Sequence, residues 1–345
     1  MGIRVTGVGG YVPDTIVTNE ELSRRVDTSD EWITAKTGIR QRRVSAPGES
    51  PSDMGCQAAL RCLRNAGIAK SAVDLIVVAC ATPDQSQPAT ACIIQDKLGI
   101  AAGQCPAFDV NSVCAGFVFA LNVAQGMMLS APDQFRNVLV IGTDAFSKIL
   151  NWNDRRTCIF FGDGAGAVLL SRTDGDDSRI HFRLGSDGRG QHCIEVPAGG
   201  TRVPVDANVL EKRLNTFTMD GPKVWDFAMS VVPRTIRALL STHGMVPTDL
   251  DLVVLHQSNL RMIENLMVAL ELPQDRTVTT VETYGNTAAA SIPLTLERAW
   301  KSGRLSEGTR VALCGFGGGL SWGAALLQWG APSAPDIGQP ALLSR

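Results

Sequence analysis

Two short patterns in this chain are written twice, in the same order, and so tie both ends of the polypeptide to one architecture. Leu63, Gly67, Asp74, Leu75 and Val77 recur at equal spacing as Leu240, Gly244, Asp251, Leu252 and Val254. In the first copy, residues 52–66 have helical apolar spacing, stop at Gly67 and lead into the run 74–80 (DLIVVAC), which suits a buried strand. A second echo follows, in which 166–170 (GAVLL) reads against 323–327 (GAALL). Ordered repeats of this kind predict an α/β fold of two duplicated βαβ-type halves, residues 1–172 and 173–331. The polar, Gly- and Pro-containing stretch 173–215 reads as loops and short strands capping the core. The tail, 332–345, has no periodicity and reads as loosely ordered.

Composition narrows the function classes. No run approaches the roughly 18 uninterrupted apolar residues of a membrane span. The 32 basic and 34 acidic residues leave a net charge of −2, too little to draw the chain to nucleic acid or an anionic bilayer, so any anion binding is local. Residues 1–13 read as a strand and turn with no signal-peptide apolar region. Met1 to Thr6 fit a loose myristoylation pattern, but Gly2 is read as opening the strand. The nine cysteines include no CxxC and no Cys/His cluster at zinc spacing. They are expected to be small buried hydrophobes in a reducing compartment, with no metal site, so a functional thiol has to be argued individually. The chain is expected to be a cytoplasmic enzyme.

Three segments carry residues suited to chemistry. In Asp109-Val110-Asn111-Ser112-Val113-Cys114-Ala115-Gly116 a strand-like run turns into an apolar helix reaching about Leu129, with Cys114 at the turn. A thiol at a helix N-terminus feels the positive end of the dipole, which favours thiolate; the alternative is a buried Cys opening a core helix. The apolar run 251–255 ends in His256-Gln257-Ser258-Asn259, and strand ends are where α/β sheets bind ligands. His256 there can donate to an oxyanion or accept a proton, or serve only the structure. Asn286, in Tyr284-Gly285-Asn286-Thr287, stands before a run of small residues as a neutral donor or a helix N-cap. Residues 315–323 (GFGGGLSWG) follow a strand and lack dinucleotide-binding spacing; a backbone donor to an oxyanion, or a tight turn, suits them. His181, His192 and His243 are weaker candidates.

Together these segments resemble the β-ketoacyl-acyl-carrier-protein synthase III family, a branch of the thiolase-like condensing enzymes. The resemblance runs from Gly7 to about Trp329 and includes Asp27-Thr28-Ser29-Asp30-Glu31-Trp32-Ile33, Thr37-Gly38-Ile39-Arg40 and Gly162-Asp163-Gly164-Ala165-Gly166-Ala167. It implies a five-layered αβαβα thiolase-like fold, a homodimer, and a Cys114, His256, Asn286 triad working without cofactor. Acyl-CoA would acylate Cys114, with the backbone N–H groups of Cys114 and Gly318 holding the oxyanion. Malonyl thioester, on acyl carrier protein or coenzyme A, would then lose carbon dioxide between His256 and Asn286 and attack the Cys114 thioester. The resemblance also assigns the cosubstrate to Trp32, Lys36, Arg155, Asn259 and Arg261, with Trp32 and Arg155 sandwiching the adenine. Arg40, Arg42, Arg43 and Arg261 would form a positive patch for the carrier.

The acyl pocket is expected to include Gln87, Trp225 and Phe316. Gln87 stands where housekeeping members place an aromatic residue that reaches across the dimer. Pro222 and Trp225 replace an Asn and a Phe, and Ser112-Val113 replaces two alanines. A polar amide at a pocket floor disfavours a simple alkyl starter, which points to a longer, aromatic or polar acyl group. Chain initiation in fatty acid synthesis is the leading expectation. The alternatives are a secondary-metabolism member with an unusual starter (polyketide or alkylquinolone type), acyl transfer to oxygen or nitrogen, and a catalytically silent homologue. A degradative thiolase is disfavoured because Cys314 lies in a strand and not in the loop such an enzyme's second Cys needs.

Overall fold

Among the described residues, alternating apolar side chains sort the longer strands into two large sheets with a core between them and one on each outer face. The computed structural model describes residues 1–174 and 178–331; the tail expected at 332–345 lies outside them. The first sheet contains β1 (Gly2–Tyr11), β2 (Leu75–Ala79), β3 (Ala107–Val110), β4 (Asn137–Ala145) and β5 (Asp163–Thr173), in the order β1-β5-β4-β2-β3. The second contains β6 (His181–Ser186), β7 (Leu252–Leu255), β8 (Arg310–Gly317) and β9 (Ser321–Gln328), in the order β7-β8-β9-β6. Read from one edge, β1-β5-β4-β2 and β6-β9-β8-β7 each run antiparallel, antiparallel, parallel. The repeated patterns fall on matching strands: 166–170 on β5 and 323–327 on β9, Leu75 and Val77 on β2, Leu252 and Val254 on β7.

The helices that position the site are α1 (Asp30–Thr37), α2 (Pro51–Ala66), α3 (Thr90–Leu98), α4 (Gly116–Ser130), α5 (Gly221–Ser241), α6 (Leu260–Ala269) and α7 (Ser291–Lys301). Because successive strand residues face opposite ways, Val138 and Val140 of β4 enter the central core while Leu139 and Ile141 enter an outer one. In the second sheet Leu252 and Val254 face the centre, and Val253 and Leu255 face outward. The central core also takes Phe117 and Leu121 from α4 and Ile292 and Leu296 from α7. The outer cores are closed by α2 and α3 on one side and by α5 and α6 on the other. The layers therefore run helix, sheet, helix, sheet, helix, which is the αβαβα arrangement. Val113–Ser130 is long and apolar enough to cross a membrane by length and composition; here Phe117, Val118, Leu121, Ala124 and Met128 fill the space between the sheets.

The structure departs from the sequence expectation in three places. Within 173–215, β6 is the edge strand of the second sheet and not part of a cap. Its Phe182 and Leu184 pack on the central core, an alternation hidden by the polar residues between them. Seven of the nine cysteines are buried, but Cys92 is exposed on α3 and Cys193 is half-buried, because each lies beyond the reach of a core. Arg42, expected in a surface patch, is fully buried. Its guanidinium donates to the carbonyls of Val17 and Ile159 at 3.1 and 2.7 Å, and desolvation lowers its pKa to about 10.

The two halves meet where side chains are missing. A Cβ built on Gly142 of β4 would collide with the carbonyl of Ala289, and one on Gly166 of β5 would come within 2.7 Å of the Leu294 backbone nitrogen on α7. Backbone cannot yield as a flexible side chain can. Gly142→Ala is therefore expected to lower stability by about 3 kcal/mol, the upper end of ordinary overpacking. Gly126→Ala, on an exposed face of α4 with nothing within 4 Å, should raise it by about 0.5–1 kcal/mol. Thermal and urea unfolding of the two variants measures both.

Candidate active site

Cys114 lies in a single 3-10 turn, Val113–Ala115, between β3 and α4, not in the helix itself. The preceding residue, Val113, has φ 45°, a conformation a β-branched residue rarely adopts and one that costs roughly 1–3 kcal/mol. Its N–H is held by Asn111 Oδ1 at 3.1 Å. Cys114 is 6% exposed and packs with Phe146, Leu150, Phe161, Phe217 and Ala288. The three phenylalanines touch one another, Phe146 stacking on Phe161 at 4.7 Å and Phe217 meeting both edge-on at 5.4 and 4.8 Å. The expectation of a thiolate is corrected by this setting. Burial, and then the charge of Asp144, push the thiol above its ordinary range, because the lost hydration outweighs the pull of one helix terminus.

His256 follows β7 and is 2% exposed. Its backbone N–H donates to the carbonyl of Cys314 on β8 at 2.8 Å. Its ring meets Phe316 edge-on at 5.2 Å, and its Nδ1 lies 2.7 Å from Ser291 Oγ. Desolvation lowers its pKa to about 3, so the imidazole is neutral at ordinary pH. Asn286 is held by its backbone, donating to Phe160 O at 2.8 Å and accepting from Gly162 N at 3.0 Å. Its Oδ1 accepts from Ala288 N at 2.9 Å, which fixes the amide orientation and leaves the NH2 as the end offered to a ligand. The cap expectation is corrected: Thr287 is the N-cap of the 3-10 turn Ala288–Ala290 and Ala290 that of α7, because the Asn286 side chain closes a turn one residue before the helical backbone begins.

The end of β8 joins these groups. A Cβ on Gly315 would lie 3.1 Å from Cys114 O, and one on Gly317 only 2.8 Å from Cys114 Cβ and 3.2 Å from Sγ. Gly317 therefore lies directly against the Cys114 side chain, and Phe316 between the two glycines touches His256. Gly318 lies one step further along the turn, where a Cβ would be 3.3 Å from Val113 and 3.4 Å from Ile194. On the other side, Asn286 is bridged to Phe161, itself packed beside Cys114. Asp144 on β4 ties the arrangement together. Its Oδ1 accepts from Ala81 N, Thr82 N and Thr82 Oγ1, and its Oδ2 from Ala289 N at 3.0 Å. Burial raises this carboxyl to about 6.

The expected cosubstrate residues gather at one rim. Arg155 lies 5.3 Å over the Trp32 ring. Asn259 caps α6, accepting from Arg261 N at 2.8 Å, while its Nδ2 reaches Lys36 O at 3.4 Å. Arg261 donates to Ala35 O at 3.3 Å and pairs with Glu264 at 2.9 Å. Lys36 and Arg40 are exposed and Arg43 is half-buried. Of the acyl-pocket expectations, Phe316 stands beside His256, and Trp225 on α5 packs on the same outer core. Gln87 is exposed on the loop between β2 and α3 and is not among the residues packed around Cys114. Sequence reading missed Phe146, Phe217, Asp144 and Ser291, which no periodicity or spacing marks. Phe161 had a weak signal in its place directly before Gly162-Asp163-Gly164.

The geometry can be compared with known proteins. The family described as 3-oxoacyl-[acyl-carrier-protein (ACP)] synthase III matches residues 108–188, and its C-terminal domain matches residues 240–329. A curated relative from Neisseria meningitidis, a β-ketoacyl-[acyl-carrier-protein] synthase III, is 44% identical over 326 residues, covering 94% of this chain and 99% of that protein. The crystal structure of 3-oxoacyl-(acyl carrier protein) synthase III from Pseudomonas aeruginosa superposes with a TM-score of 0.87 at 34% identity, covering 97% of this chain and 100% of that one. A priming β-ketosynthase from the R1128 polyketide biosynthetic pathway does so with a TM-score of 0.87 at 33% identity, covering 96% and 97%. A thiolase-like αβαβα fold, a buried thiol at a strained turn, and likeness along nearly the whole length lead to one conclusion: the chain belongs to the β-ketoacyl-acyl-carrier-protein synthase III family.

Proposed function

We propose that this protein is an acyltransferase that primes a fatty acid chain by decarboxylative condensation, with Cys114, His256 and Asn286 as its catalytic residues. The observation that carries the reading is the meeting of a buried thiol with a neutral imidazole and an amide of fixed orientation around the end of β8. The halves 1–172 and 173–331 stand in this reading as the donors of the nucleophile and of the His and Asn, respectively.

In the first half-reaction Cys114 Sγ attacks the thioester carbonyl of acyl-CoA, and the thiol proton leaves with coenzyme A as its free thiol. The backbone N–H groups of Cys114 and Gly318 receive the oxyanion. Trp32, Lys36, Arg155, Asn259 and Arg261 hold the cosubstrate at the rim, where Arg155 has to move off the Trp32 face to admit an adenine between them. In the second half-reaction the thioester carbonyl of malonyl-ACP or malonyl-CoA accepts hydrogen bonds from His256 and Asn286. Carbon dioxide departs, the electron pair it leaves forms the enolate, and that carbon attacks the acyl-Cys114 carbonyl. The β-ketoacyl thioester is released with the Cys114 sulfur as leaving thiolate, which takes a proton from water to regain its thiol. Thioester exchange and decarboxylation need only a thiol and hydrogen-bond donors, so no metal or redox cofactor is required. Acyl carrier protein meets the exposed bases of the rim, Lys36 and Arg40, and the enzyme works as a homodimer with Gln87 and Trp225 contributing to the acyl pocket.

A specialised starter is the second reading, supported by the likeness to a polyketide priming synthase and by the three mutually packed phenylalanines at Cys114. Three measurements test the proposal. Mixing the protein with a panel of acyl-CoA thioesters should give a mass gain of one acyl group that Cys114→Ala abolishes; no gain with any thioester would overturn the nucleophile assignment. Trp32→Ala should raise KM for acyl-CoA by about tenfold, the loss of one cation–π-type contact of about 1–2 kcal/mol, with carbon dioxide release from malonyl-ACP, which carries no adenine, unchanged. The His256 ring, with its pKa lowered from 6.5 to about 3, should show no NMR titration between about pH 5 and 8. Between its unfolded and folded pKa values the unfolded chain binds the extra proton, so this group's contribution to stability is complete above about pH 6.5 and is lost as pH falls toward 3.

A further inference from the structure

Among the described residues the hydroxyl of Ser291 has a single hydrogen-bond partner, His256 Nδ1 at 2.7 Å. Ser291 is fully buried at the first turn of α7, so water does not reach its proton. Its own carbonyl is taken by Thr295 Oγ1 at 2.8 Å. A buried hydroxyl that leaves its proton unpaired loses roughly 1–3 kcal/mol. The acceptor in reach is Nδ1, and an imidazole nitrogen accepts only when it carries no proton. The opposite assignment, Nδ1–H donating to Ser291 Oγ, would strand the serine proton in an apolar interior.

We infer that Ser291 is a positioning residue that holds neutral His256 in the Nε2–H tautomer, committing the ring to donate a hydrogen bond to the malonyl thioester carbonyl and barring it from taking the Cys114 proton. The chemical identity of the partner decides this. A carboxylate at Nδ1 would accept from Nδ1–H and make Nε2 a base; a hydroxyl with a proton to spare does the reverse. Among the described residues no acidic side chain shifts the ring's pKa, which burial lowers. The same short segment orients the second donor, since Ala288 N–H holds Asn286 Oδ1. Residues 286–291 thus set two N–H donors, Nε2 of His256 and Nδ2 of Asn286, for the two lone pairs of one carbonyl oxygen. The inference rests on the reading that malonyl thioester binds between these residues.

The test uses the full-length protein with 15N-labelled histidine. The chain has four His, and the His256 signals are those missing from the spectrum of His256→Ala. The expected spectrum shows a protonated Nε2 and an unprotonated Nδ1; the reverse overturns the inference. Ser291→Ala, which only removes atoms from the core, should lower malonyl decarboxylation by about tenfold, less than the ~10²-fold loss of an oxyanion donor outright, because the tautomers mix and the ring remains. Acylation of Cys114 by acyl-CoA should stay within about twofold of the parent rate. Unchanged decarboxylation, or an equal fall in acylation, overturns the positioning role. A parent enzyme that shows the Nε2–H tautomer yet releases no carbon dioxide from malonyl thioester refutes the proposed function and leaves the tautomer assignment standing.

Discussion

The site exists because the segment 284–291 of the second half lies directly on the backbone of the first sheet. That approach depends on residues without side chains. A Cβ on Gly162 would meet the carbonyl of Tyr284, and one on Gly142 the carbonyl of Ala289. Asp144 then fastens the contact, accepting hydrogen bonds from Cys80, Ala81 and Thr82 of its own half and from Ala289 N–H of the other. A fully buried carboxylate is costly, which the rise of its pKa to about 6 reflects. These donors offset part of that cost, and the remainder is the expense of holding two sheets in one register at the place where their chemistry meets.

Around this clasp the candidate groups Cys114, His256 and Asn286 are neutral. A thiol, an imidazole and an amide are all withdrawn from water, and each is oriented by a hydrogen bond on its far side or by strain in the adjacent backbone. Ala288 N–H holds the amide of Asn286, Ser291 Oγ lies against Nδ1 of His256, and the turn at Val113 carries Cys114. Fixed donors in a low-dielectric site stabilise developing negative charge without reorganising during the reaction.

Much of the fold was legible in the amino-acid order. The helix that stops at Gly67, the strand at 74–80 and the echo of 166–170 in 323–327 fall on matching positions of two sheets, because period and punctuation are local properties. Cys114, His256 and Asn286 were legible too, since each stands at a strand end or helix entrance. Other features were not. β6 looked like a capping loop because polar residues separate Phe182 and Leu184. Arg42 looked like surface charge, yet it lies under the Gly285 turn with its N–H groups on backbone carbonyls. Phe146, Phe217, Asp144 and Ser291 are ordinary residues in their own segments.

By itself, the sequence determined that two related α/β halves form and that each ends its strands in reactive or polar residues, because those signals lie in spacing along one chain. Only the tertiary structure decided the state of those residues. Burial raises the pKa of the Cys114 thiol where a helix terminus alone favours a thiolate, and a hydroxyl brought from 35 residues away meets Nδ1 of His256. Protonation and hydrogen-bond direction depend on what surrounds a group in space, and that is fixed when the sheets close on each other.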